Sequence, residues 1–162
     1  MSDTDRLAAL EARVAALEAR DQAPNTPDAD TFWALEGMLD RIEAPGAVMI
    51  TGHVTLPDER IARWQETAGT ASLLDGDWSA QVTVLTALAH PTRIRLLQEV
   101  LRGARSAADL GKLDGMGTSG QVYHHLRQLV AAGWLHTVGG GRYEVPAARV
   151  IPLLTTLLGA RR

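Results

Sequence analysis

Three features of the chain predict an α+β fold that is mainly helical. Near the start lies a two-heptad helical seam, between residues 47 and 56 there is one stretch of strict period-two alternation, and from residue 77 onward capped helical segments lead to a short glycine-tipped hairpin and a last apolar helix. These features divide the chain into a coiled-coil arm over 1–21, a linker over 22–30, a helix-plus-hairpin accessory or dimerisation segment over 31–76, and a larger domain over 77–162.

The arm reads DRLAALEARVAALEAR over 5–20. Leu7, Leu10, Val14 and Leu17 are spaced 3, 4 and 3 residues apart, which is an a/d seam. With Leu7 at position a, Arg6, Arg13 and Arg20 fall at g and Glu11 and Glu18 at e, so a parallel pair sets Arg6 against Glu11 and Arg13 against Glu18 of the other helix. The charges favour a parallel homodimer, although two heptads need support elsewhere. The alternative is a lone amphipathic helix packed on its own domain.

Residues 21–30 (DQAPNTPDAD) carry two prolines and no periodicity, as a linker does. Asp30 is the expected cap of a helix with Phe32, Leu35, Leu39 and Ile42 on its apolar side, ending before Pro45-Gly46. Over 47–56, Val48, Ile50, Val54 and Leu56 alternate with Met49, Thr51, His53 and Thr55, the pattern of a strand. Gly52 interrupts the apolar face and marks either a bulge or a close backbone approach. Pro57-Asp58-Glu59 is a turn, and 60–65 fits a second strand better than the start of a helix.

Asp77 caps an expected helix over 78–89 with Val82, Leu85 and Leu88 inward. Pro91 restarts the chain as a helix over 92–102, with Ile94, Leu97 and Leu101 apolar and Gly103 as its stop. Ser106-Ala-Ala-Asp109 opens a short helix to Leu113, and 114–117 turns. Thr118-Ser-Gly-Gln121 is a cleaner capping box, opening a helix over 118–132 that buries Val122, Leu126 and Leu129 and closes at Gly133. Residues 134–138, the Gly139–Gly141 tip and residues 142–145 read as strand, turn and strand, and 147–158 as a strongly apolar helix.

Composition narrows the function. Of 162 residues, 46% are hydrophobic and 22% charged, an ordinary globular balance. The absence of cysteine removes disulfides, thiolate metal sites and cysteine nucleophiles together. No apolar run could span a bilayer, and the acidic start Met1-Ser2-Asp3-Thr4-Asp5 is unlike a signal peptide, so a cytoplasmic location and no membrane partner are expected. The net charge of −3 conceals an acidic first half and a basic second half: residues 1–89 carry 6 basic and 15 acidic side chains, residues 90–162 carry 10 and 4. Such a basic half suits a polyanion.

A short helix, a glycine turn, a capped helix with a polar outer face and a flexible hairpin together have the layout of a winged helix-turn-helix. The outward positions of 118–132 are Ser119, Gly120, Gln121, Tyr123, His124, Arg127 and Gln128. Glutamine can bind adenine bidentately and arginine guanine, while Arg142 beside the hairpin tip can reach a minor groove or the backbone. Double-stranded DNA is the expected partner, the helix entering the major groove and the wing over 136–145 lying alongside. An enzyme is not expected, since there is no nucleophile–base constellation and no phosphate loop.

Three segments then resemble a known family. Ala87-Leu-Ala-His90-Pro91-Thr92-Arg93-Ile94-Arg95-Leu96-Leu97, Thr118-Ser-Gly-Gln-Val-Tyr-His-His-Leu-Arg-Gln-Leu129 and Ala131-Ala-Gly-Trp-Leu135 are similar to the corresponding helices and wing entry of ArsR-type winged-helix repressors. The resemblance covers 78–158. It implies a homodimer built through the first and last helices, with Leu154 and Leu157 on the last, and DNA-contact roles for Thr118, Ser119, Gln121, Tyr123, His124 and His125. Tyr123-His124-His125 departs from the family's usual Ser-Arg-His, so base preference does not transfer. Neither the cysteines of the short helix nor the histidines and carboxylates of the last helix that serve metal sensing in many members are present, so no metal and no cofactor are expected. The alternatives are an architectural DNA-coating protein and a protein-binding module. Residues 31–76 can also be read as a small-molecule effector pocket lined by Trp33, Met49, His53 and Trp64.

Overall fold

A computed structural model of the chain describes residues 6–7, 9–15 and 31–161. It forms two compact units, Met1–Ala44 and Pro45–Arg162. The division falls within the expected 31–76 segment, whose hairpin packs with the C-terminal helix.

In the first unit, α1 is helical at 6–7 and 9–15, with Leu7, Leu10 and Val14 exposed along the predicted seam. Leu17 and the expected linker lie outside the described residues. Helix α2 spans Trp33–Leu39. Phe32 stands at its N-cap without a side-chain bond, and Phe32, Trp33, Leu35 and Leu39 are all exposed.

The second unit begins with β1 (Ala47–Thr55) and β2 (Ile61–Gly69), antiparallel in continuous register from Ala47 opposite Gly69 to Thr55 opposite Ile61. The turn closes through Leu56 and Arg60, whose backbones exchange a bond of 2.8 Å, while Asp58 accepts from the Arg60 amide. No bulge occurs at Gly52. The close approach does: a Cβ there would lie 2.8 Å from Ile151 Cγ2, so glycine lets β1 press against the last helix. Leu56 and Ala62 enter the core from this hairpin, with Val54 packed against it.

A short helix α3 (Thr70–Asp75), not foreseen from the sequence, follows β2 directly. Asp77 caps a 3-10 turn over Trp78–Gln81, which leads into α4 (Val82–Leu88). The expected inward set is corrected here. Val82 and Leu85 are 57% and 52% exposed, whereas Val84, Ala87 and Leu88 face the core. Steps of three residues drift around a helix of 3.6 residues per turn, so Val82 and Leu88 stand apart while Val84, Ala87 and Leu88 share a face. The Trp134 indole N–H donating to the Val84 carbonyl at 2.9 Å fixes the face that results.

Helix α5 (Pro91–Leu101) buries Leu96, Leu97 and Val100; α6 (Ala107–Leu110) is capped by Ser106; and α7 (Ser119–Ala131) buries Val122, Leu126 and Leu129 as predicted. Helix α6 stops short of Leu113, and Met116 in the turn after it is buried. Strands β3 (His136–Val138) and β4 (Arg142–Glu144) form the second hairpin. Trp134 and Leu135 are core residues and not strand, since both backbone amides are drawn back to the Leu129 carbonyl. Ser106 bridges Arg142 on the other side of β4. Helix α8 (Ala147–Gly159) packs Val150, Ile151 and Leu153 inward and lies against β1 and β2; Leu154 is half-buried on the core, and Leu157 and Leu158 are exposed.

An ionic cluster ties the first hairpin to the second. Arg60 Nη1 lies 3.0 Å from Glu144 Oε2, and Arg105 bridges Glu144 and Asp58. Each carboxylate therefore meets two guanidinium groups, which fixes the tip of β1–β2 against β4.

Candidate nucleic-acid interface

Helix α7 starts where Gly117, at φ +79°, releases the chain from the turn into Thr118. The Thr118 hydroxyl accepts from the Gln121 amide and the Gln121 carboxamide oxygen accepts from the Thr118 amide at 2.8 Å, so both halves of the capping box are formed. The three buried positions Val122, Leu126 and Leu129 orient the rest. Thr118, Ser119, Gln121, Tyr123, His124 and Arg127 are exposed on one polar surface, with Tyr123 at 51%. The first-turn amides at this end give an N-terminus with partial positive character.

Two of the predicted contacts take other roles. Gln121 is exposed, but its oxygen is held in the cap, and bidentate reading of adenine needs that oxygen free. The sequence carried the signal: the residue that completes a capping box is already engaged. His125 turns toward α5, its ring 4.5 Å from that of His90 and 5.6 Å from that of His124, with a buried Nδ1 lacking a partner. Burial first, then the charges of His90, Arg93 and His124, hold its pKa below the usual 6.5, against a smaller opposing bond from Gln128. His90 in turn caps α5 by accepting the Thr92 amide on Nδ1 at 3.2 Å.

Arg142 is exposed, as expected, at the base of the Gly139–Gly141 tip, where its Nε donates to the Gly139 carbonyl at 3.1 Å. The sequence reading passed over Arg93. It is only 8% exposed and donates to the Ala87 carbonyl, to the Thr86 carbonyl at 2.7 Å and to Gln128 Oε1 at 2.7 Å. This one guanidinium fastens the end of α4 to α7, and it also engages the side-chain oxygen of the exposed Gln128.

The expected pocket of Trp33, Met49, His53 and Trp64 is not assembled. Trp64 pairs with Gly52 on the α8 side of the hairpin, whereas Met49 and His53 alternate onto the opposite side. Among the described residues no three His, Asp or Glu side chains converge as metal ligands. None of the described helices is long and apolar enough to cross a membrane.

Helices α5 to α7, a capped polar helix face and a basic sequence half define a helix-turn-helix segment of the kind DNA-binding regulators carry. A family model described as a helix-turn-helix domain matches residues 88–138, which begin at the end of α4 and close with β3. No curated protein matches the chain.

Proposed function

We propose that the protein is a homodimeric transcriptional repressor of the ArsR-like winged helix-turn-helix kind, cytoplasmic and without enzymatic activity. Helix α7 enters the major groove, and the β3–β4 wing, through Arg142, lies on the backbone or in the minor groove. The observation that carries this reading is the division of α7, whose Val122, Leu126 and Leu129 are buried while Ser119, Tyr123, His124 and Arg127 share an exposed polar face beside its N-terminus. Tyr123, His124 and Arg127 are the side chains left free for base edges, and Thr118, Ser119 and the helix N-terminus suit phosphate.

Dimerisation is supported by apolar residues that one chain leaves uncovered. Trp78 in the 3-10 turn and Val82 and Leu85 on α4 are exposed, Leu157 and Leu158 stand at the end of α8, and Leu7, Leu10 and Val14 of the α1 seam are exposed. A helix apolar on two sides is normally buried on both.

Retention of fragmented genomic DNA by the purified protein at physiological salt, followed by sequencing, tests the reading. A pseudo-palindromic site with half-sites about 34–36 Å apart is the expected result. Retention without any motif would turn the reading toward an architectural protein, and no retention even at low salt toward a protein-binding module.

A further inference from the structure

The groove between α4 and the C-terminal part of α7 is lined by Val82, Thr83, Ala87, Ala131 and Ala132, with Arg93 and Gln128 also reaching it. Arg93 is a nearly buried cation whose three protein bonds all go to neutral oxygens. Among the described residues none of the ion pairs includes it. A guanidinium has five N–H groups, so two remain beyond those bonds. Buried charges are ordinarily paired, and a planar fork of spare donors matches a carboxylate.

We propose that this groove binds a small carboxylate with a compact apolar body, the carboxylate on Arg93 and the body against Val82, Ala131 and Ala132. The charge asks for an anion, and the alanine-walled groove beside it asks for an apolar group in preference to a bare ion. The ligand also meets a group that holds the DNA-facing helix, since Nη1 donates one of its two N–H groups to Gln128 Oε1 and offers the other to the carboxylate. Binding is thereby coupled to the seating of α7. That coupling rests on the DNA-binding reading, whereas occupancy of the groove does not.

The test is a titration of the full chain with sodium benzoate, read by backbone amide shifts and by melting temperature in the absence of DNA. Benzyl alcohol serves as the neutral isostere and inorganic phosphate as the bare anion. Expected are saturable shifts at Thr83, Thr86, Gln128 and Ala131, with benzoate binding at least about tenfold tighter than either control. Ala131→Phe, at an exposed position, fills the groove without touching Arg93, and should keep the unliganded melting temperature while abolishing the benzoate shifts. Failure to saturate by about 10 mM, equal binding of either control, or an unchanged response in Ala131→Phe overturns the proposal. Loss of genomic DNA retention with intact benzoate binding would strike the DNA reading alone.

Discussion

At the level of single residues, several polar groups that face DNA-binding positions are engaged in holding the fold. Gln121 completes a cap, so Gln121→Ala should lower stability by about 1 kcal/mol, and Thr118→Ala by a similar amount. Because the two side chains serve one reciprocal cap, the double variant should lose less than the sum; strict additivity in urea unfolding would show that the box contributes nothing as a unit. His125 gives a prediction in pH. Its native pKa lies below 6.5, so above that value both native and unfolded chains are neutral at this site and stability is unaffected. As pH falls through the ordinary histidine range the unfolded chain takes up the proton first, and stability decreases. The slope is less than one proton and should flatten in His125→Asn; a wild-type curve unchanged down to pH ~5 would contradict the placement of the ring with its Nδ1 buried and unpartnered.

The elements show what a linear pattern can and cannot reveal. The α7 core face, the two hairpins and the Ser106 and Thr118 caps were legible because each is a local rule: helical spacing, strand alternation, or a hydroxyl three residues before its partner. The inward face of α4 was not, since in so short a helix apolar residues stand on more than one side and a tertiary bond from Trp134 fixes which is inward. The Arg93 clamp was equally hidden, as charged residues are almost never this buried and its acceptors are backbone carbonyls that no side-chain pattern marks. Gly52 lay between these cases. Its position on an apolar face announced a close approach, but only the fold supplies Ile151 as the neighbour. Gly52→Ala should therefore destabilise by about 1–3 kcal/mol through overpacking. Ile151→Val or Ile151→Ala in the same chain should recover part of that loss; if the shortened side chain brings no recovery, the strand does not rest on α8 at this point.

For the whole molecule, the distribution of apolar surface decides which assembly to expect. The core of Pro45–Arg162 is closed by its own helices and both hairpins, yet Trp78, at 66% exposure, is followed by the exposed Val82 and Leu85 of α4. Two or three large apolar side chains at helical spacing form a seam and not scattered surface residues. On the dimeric reading, α4 and the end of α8 carry the main interface, and the two heptads of the arm, too short to pair alone, add to a contact already made. The two contributions separate by deletion and by charge. Removing residues 1–20 should leave a dimer by sedimentation, with weaker association on dilution. Leu85→Glu in the intact chain should yield monomers, because a symmetric interface would then bury two like carboxylates against apolar surface. Its melting temperature should then become independent of concentration, as linkage between folding and association is lost. A monomer after the deletion together with a dimer in Leu85→Glu would transfer the interface to the arm.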